Sequence, residues 1–345
     1  MKVRQFFLYF LAVNLLFTAC GEKEDCCVNP PNSFKTGIYV VNEGPFGGTG
    51  TISWYNPETG EVQDSLYEKA NNGAELGQFV QSLTFHDGKG YIVVNGANRV
   101  VVVDAETFVY LDTIGGLALP RYFLPIDNQT ALVSQWGFDG LTGSVAKVNL
   151  TTHQVVKTIP TGKGPDKMLR NGNQVWVANS GGYGVDASIT EISLSNDQAQ
   201  TQAIPSGKNP STLALYSQKL YYLCKGYFLD NNPVGWLDFI GNTTPGLEVP
   251  AYSDDLVVDS DDGNFYFIGG GQVYRSNAAN FQNSLSVLFA QPAYGLGFDA
   301  DLNLLYCADA KDFSSPGEVV IYRTDGTRVG SFRAGIAPGE VLIVP

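Results

Sequence analysis

Charge is scarce in this chain: 16% of its 345 residues are Asp, Glu, Lys or Arg, and the acids outnumber the bases 34 to 21. The formal charge of −13 argues against nucleic acid, because phosphate recognition needs a clustered Lys/Arg surface. Adsorption to anionic lipid is disfavoured for the same reason. Histidine is nearly absent, with only His86 and His153, so the usual base of a nucleophilic triad is hard to supply. The five cysteines form no Cys-x-x-Cys pair and no cluster with histidine, which disfavours zinc. No Gly-x-Ser-x-Gly elbow and no phosphate loop occurs. Asp259, Asp261 and Asp262 before Gly263 superficially match a calcium loop but lack its downstream acid, and read as a turn. The expectation is a chain with no catalytic site, no metal and no cofactor.

Long hydrophobic runs are also missing, with one exception. Lys2 and Arg4 precede a nearly unbroken apolar run from Phe6 to Ala19, too short to span a bilayer comfortably and therefore read as a signal peptide. Phe17-Thr18-Ala19-Cys20 resembles a bacterial lipobox, which makes Cys20 the lipidated N-terminus and a lipid anchor the only membrane attachment. Gly21-Glu22-Lys23-Glu24-Asp25 resembles the acidic tether that places Bacteroidetes lipoproteins on the outside of the outer membrane. The expected organisation is a signal peptide over 1–19, a lipidated tether over 20–36 and one folded domain over 37–345. Cys26 and Cys27 lie in the tether, while Cys224 and Cys307 sit in apolar strand runs and read as small core residues.

What the chain has in quantity is turn and strand chemistry: 39 Gly, 17 Pro, 18 Tyr and 20 Phe, with 44% hydrophobic residues. An apolar strand recurs as Ile38–Val41, Tyr91–Val94, Ala131–Val133, Val175–Val177, Leu220–Leu223, Phe265–Ile268 and Leu304–Cys307. Successive starts are roughly 40 to 55 residues apart, close to the period of a four-stranded propeller blade. Seven recurrences predict an all-β, seven-bladed β-propeller. The first recurrence has no inner strand before it, and the segment from Pro338 to Val344 has no partner strand after it. The C-terminal strand is therefore expected to complete the first blade and close the ring, removing open sheet edges.

Strand alternation sorts the connections onto two faces. One carries tight turns such as His86-Asp87-Gly88, Asn171-Gly172 and Asp262-Gly263, and both histidines fall there. The other carries longer loops, including 42–50, 135–143, 179–188, 225–246 and 309–318, bearing Phe46, Trp136, Phe138, Tyr183, Tyr227, Phe228, Trp236, Phe239 and Phe313. Long loops rich in aromatics point to a binding surface. The connections between blades align on proline at Pro120, Pro165, Pro210, Pro292 and Pro338, with Gln81 and Asp254 as looser equivalents. Residues just after these positions, among them Arg121, Tyr122, Asp166, Lys167, Thr212, Tyr294 and Glu340, are expected to ring the channel mouth. The candidate ligand-binding set is Phe46, Arg121, Tyr122, Trp136, Phe138, Asp166, Tyr183, Tyr227, Trp236 and Tyr294.

Gly162-Lys163-Gly164-Pro165-Asp166 and Gly207-Lys208-Asn209-Pro210-Ser211, each followed by strands like Val175-Trp176-Val177-Ala178-Asn179, resemble the lactonase-like and YncE-like seven-bladed propellers. With Gly37-Ile38-Tyr39-Val40-Val41-Asn42-Glu43-Gly44, the chain is similar to surface lipoproteins of Bacteroidetes that capture cobalamin and pass it to a TonB-dependent outer-membrane transporter. The resemblance implies cobalamin or a related corrinoid as ligand and such a transporter as partner. A glycan- or protein-binding surface module, and a metal-dependent lactonase or lyase, are the alternatives the residues leave open.

Overall fold

The computed structural model describes residues 36–345. The expected signal peptide, Cys20, the acidic tether, Cys26 and Cys27 lie outside the described residues. Seven four-stranded antiparallel sheets follow one another round a ring. Blade 1 takes its three outer strands, Gly37–Asn42, Thr51–Tyr55 and Val62–Gln63, from the start of the described chain. Its innermost strand is Pro338–Val344, paired in register with Val40 opposite Val341 and Tyr39 opposite Leu342. The expected closure is therefore present.

Blades 2 to 7 begin at the innermost strands Val80–His86, Pro120–Asp127, Pro165–Asn171, Pro210–Tyr216, Asp254–Asp259 and Gly295–Asp299. These strands neighbour one another, with Pro338–Val344 standing between the first and the last of them.

The second strand of each blade explains the continuous apolar runs. Successive side chains on a strand point to opposite faces, and here both faces meet another blade. Tyr39 and Val41 pack with Val80, Leu83 and Ile92 of blade 2, whereas Ile38 and Val40 pack with Tyr306, Val319 and Phe332 of blade 7. Tyr91 and Val93 repeat the pattern against Phe123 and Val133 of blade 3. Seven apolar clusters fill the gaps between blades. Each fully buried large side chain contributes on the order of 1.5–3 kcal/mol. Cys224 and Cys307 belong to these clusters as free thiols, and burial raises both of their pKa values.

The outermost strands behave differently. Gln198–Ala203 and Gln154–Pro160 are mostly exposed, as the last strand of a blade has solvent on one edge.

Candidate functional site

Six of the seven innermost strands start with an irregularity in register. The pairing skips between Val80 and Ser82, Pro120 and Phe123, Pro165 and Met168, Pro210 and Thr212, and Asp254 and Val257. In blade 1 it skips Gly339, since Asn42 faces Pro338 and Val41 faces Glu340. A bulge of this kind re-aims side chains that would otherwise alternate. Its consequence is that consecutive residues, Arg121 with Tyr122, Asp166 with Lys167, and Asp254 with Asp255, all line one cavity at the mouth of the channel.

The bulges are braced from behind. In five blades the residue just before the innermost strand has a positive φ: Phe79 (55°), Leu119 (50°), Gly164 (58°), Asn209 (56°) and Ala337 (53°). A non-glycine residue held there costs about 1–2 kcal/mol and persists only where its surroundings fix it. Here its carbonyl accepts a hydrogen bond from the first loop residue after the blade's second strand. The donors are the amides of Asn95, Trp136, Ser180, Lys225 and Glu43, at 2.7–3.1 Å. Each donor is followed by glycine, whose own amide makes a second bond one residue further back. Glu43, Trp136 and Lys225 thus occupy equivalent places, directed by the same backbone clamp.

Three ion pairs cross this mouth. Arg121 Nε donates to Asp166 Oδ1 at 2.8 Å, and Arg121 Nη1 donates to Gln81. Lys167 pairs with Asp255, and Lys225 with Asp254. Ser211 Oγ and Thr212 Oγ1 add hydrogen bonds to Asp254 Oδ1 at 2.7 and 3.2 Å. Two carboxylates are left without a cation of their own. Glu340 Oε2 accepts from the Leu83 amide at 2.9 Å, and Glu43 Oε1 accepts from the Tyr294 hydroxyl at 3.2 Å.

The electrostatics follow from burial and neighbours. Burial lifts the Glu340 carboxyl to about 7, against the opposing pull of the Leu83 amide and Lys167. Burial likewise raises Glu43, opposed by Arg121 and by the Tyr294 hydroxyl. For Asp254 burial acts upward too, but Lys225 and Lys167 outweigh it and hold the carboxyl at about 2. Arg121 stays above its ordinary value because Asp166 overcomes the burial that would lower it.

Aromatic side chains connect this floor to the rim on two sides. On one side Tyr183 meets Trp136 edge-on at 5.6 Å, and Trp136 carries the Arg121 guanidinium 4.3 Å from its ring centre. Trp136 Nε1 also donates to Asp166 Oδ1 at 3.2 Å. Tyr183 lies so close over Gly140 that a Cβ there would stand 2.0 Å from its ring. On the other side Phe313 meets Tyr294 edge-on at 5.0 Å, and Tyr294 reaches Glu43. Around the rim Phe46, Phe138 and Phe228 are 94%, 78% and 64% exposed.

Of the candidate set, Arg121, Tyr122, Asp166 and Tyr294 line the cavity together, and Trp136 adjoins them. Phe46, Phe138, Tyr183 and Tyr227 stand on the loops of the same face. Tyr227, half-buried, packs on Phe228 and lies 5.9 Å from the Lys208 ammonium.

Trp236 is a correction. It belongs with Phe239 to the strand Gly235–Phe239, opposite Cys224, not to a loop, and packs half-buried on the apolar cluster around Tyr222 and Cys224. The turn residues Asp230-Asn231-Asn232-Pro233 stand just before the strand and Gly235 opens it, and this punctuation marks where the loop ends and the strand begins. Pro292 likewise precedes its innermost strand, Gly295–Asp299, which lacks the bulge.

Glu43, Lys225 and Asp255 were missed as site residues. The signal that could have found the first two is the variable residue before glycine at Glu43-Gly44, Trp136-Gly137 and Lys225-Gly226. Both histidines stand on the turn face, His153 Nδ1 at 2.5 Å from Asp112 and His86 Nε2 at 3.2 Å from the Asp127 carbonyl. Among the described residues no three His, Cys, Asp or Glu side chains are grouped to hold a metal ion.

Fold and site together define a seven-bladed β-propeller with one elaborated loop face and a polar cavity at its channel mouth. The chain belongs to the family described as domain of unknown function DUF5074, whose match covers residues 36–298. No curated protein matches it. Among solved structures it is similar to a quinonprotein alcohol dehydrogenase-like protein from Bacteroides thetaiotaomicron, at 15% identity and TM-score 0.65, covering 90% of this chain and 78% of that one. A proposed 6-phosphogluconolactonase from Bacteroides fragilis shares 13% identity at TM-score 0.65, covering 92% of this chain and 100% of that one. Apo AztD from Citrobacter koseri shares 10% at TM-score 0.52, covering 89% and 97%. Identities this low establish the fold alone.

Proposed function

We propose that this protein is a lipid-anchored, cell-surface ligand-capture propeller. It binds cobalamin or a related corrinoid at its loop face and delivers it to a TonB-dependent outer-membrane transporter. The observation that carries this reading is the pair of aromatic walls, Tyr183–Trp136 and Phe313–Tyr294, descending from an exposed rim to a hydrogen-bonding floor. A corrinoid is broad and largely apolar, with amides along its edge. It needs a wide contact area of this kind with a few polar groups to fix orientation.

The anchor supports the same reading. Thr36 and Gly37, to which the expected tether connects, lie beside Asn56, Pro57 and Asp301 on the turn face, opposite the loop face. The lipobox resemblance at Phe17-Thr18-Ala19-Cys20 supplies the anchor itself.

Calorimetry of the purified domain with cyanocobalamin tests the proposal. A saturable one-to-one complex is the expected outcome. An absence of heat at micromolar protein removes the corrinoid, and binding on a glycan array instead would move the same face to a carbohydrate.

A further inference from the structure

The two aromatic walls end in groups of opposite charge. The Tyr183–Trp136 wall, from blades 4 and 3, ends at the Arg121 guanidinium. The Phe313–Tyr294 wall reaches the Glu43 carboxylate of blade 1. Both termini line the same cavity. Among the described residues the Glu43 side chain accepts one hydrogen bond, from the Tyr294 hydroxyl, although a carboxylate has room for several donors. Arg121 commits Nε to Asp166 and Nη1 to Gln81, which leaves further N–H groups of its five.

We propose that this floor is a bipolar subsite for one planar group that both donates and accepts hydrogen bonds, a primary carboxamide above all. The carboxamide N–H₂ is directed to Glu43 and its carbonyl oxygen to Arg121, while an attached flat ring or chain lies against Trp136 or Tyr294. A ligand group bearing only a carboxylate meets Glu43 unfavourably, and one bearing only an ammonium meets Arg121 unfavourably. The inference rests on the capture reading and names the ligand chemistry its floor selects. It stands apart from the identity of the whole ligand.

Three flat probes of one size separate these cases: nicotinamide, nicotinate and 3-(aminomethyl)pyridine, titrated against the full domain by tryptophan fluorescence and ligand-observed NMR. Nicotinamide is expected to bind about tenfold more tightly than either charged probe, the scale of one well-placed hydrogen bond lost or one like charge opposed. Glu43→Gln, which removes charge and keeps shape, is expected to bring nicotinate to within about twofold of nicotinamide. Tyr294→Phe, a milder change should Glu43→Gln disturb folding, is expected to weaken nicotinamide about threefold through a less fixed Glu43. Equal affinities for the three probes, no saturable binding by the folded domain, or unchanged selectivity in Glu43→Gln would overturn the subsite. A protein that binds nicotinamide selectively but ignores cyanocobalamin keeps the subsite and loses the corrinoid. One that binds cyanocobalamin with no probe selectivity does the reverse.

Discussion

The two faces of the ring satisfy their polar groups in opposite ways. On the turn face several turns close on themselves, although His86 and His153 each reach a neighbouring blade. Asp104 Oδ1 accepts from the Thr107 amide at 2.9 Å, Asn149 from Thr151 and Thr152 at 2.9 Å, and Asn56 from Glu58 at 2.8 Å. On the loop face the partners come from different blades: Arg121 with Asp166, Lys225 with Asp254, and Lys167 with Asp255, 88 residues away. The first arrangement is largely self-sufficient and exposed. The second is a half-dry network in which each member depends on another blade, and that is where a ligand finds oriented charge without having to create it.

Removing one member from each face exposes the difference most strongly. Asp166→Ala leaves both the Arg121 guanidinium and the Trp136 indole N–H without their shared acceptor. A part-buried charge deprived of its partner costs about 3–5 kcal/mol, read as a lower urea midpoint at unchanged m-value. Asp112→Ala, in the outermost strand Tyr110–Ile114 of blade 2, removes a shorter contact, to the turn residue His153, yet its side chain is 53% exposed. Its cost is expected within about 1 kcal/mol. Similar losses for the two variants would erase the distinction between the faces.

A smaller effect comes from acidity. Glu340 titrates near 7 in the folded ring because burial disfavours its charge, with Lys167 and the Leu83 amide opposing and Asp255 adding to the effect. In the unfolded chain a glutamate titrates near about 4.3. The native state therefore holds this proton more tightly, so stability falls as pH rises from about 4.5 to about 7 and levels off above that. The expected fall is roughly 3–4 kcal/mol, and Glu340→Gln should flatten most of it in urea melts across this range. A wild-type profile that rises through the same window would show the carboxylate to be stabilised rather than desolvated.

The architecture was legible in the sequence because its signal is local and repeated. Apolar runs such as Tyr91–Val94 and Phe265–Ile268 recur at blade spacing, and the unpartnered strand from Pro338 named the closing segment. Arg121, Asp166 and Tyr294 were legible for the same reason, since the proline before each innermost strand marks the channel mouth.

The pairings were not. Nothing between residues 167 and 255 tells that Lys167 meets Asp255, because ring closure brings them together. The bulge that turns Asp254 and Asp255 to the same side depends on register, which composition does not encode. Trp236 misled in the other direction, an aromatic near a long loop that spends its ring on the interior.

The smallest stability effects are expected at the rim, and they sharpen the comparison within the loop face itself. Phe46 and Phe138 are 94% and 78% exposed, and the Phe138 loop is held by Asp139 Oδ1, which accepts from the Leu141 and Thr142 amides at 2.9 and 2.8 Å. The loop is therefore preorganised without its aromatic tip. Phe46→Ala and Phe138→Ala should each shift stability by no more than about 0.5 kcal/mol, because little packing is lost, while weakening ligand capture through lost contact area. Thermal melts and calorimetry on the same samples separate the two effects. A stability loss matching the affinity loss would place these rings in the packing of their own loops. Unchanged melts with weakened capture would show side chains kept in water by a rigid backbone until a ligand covers them.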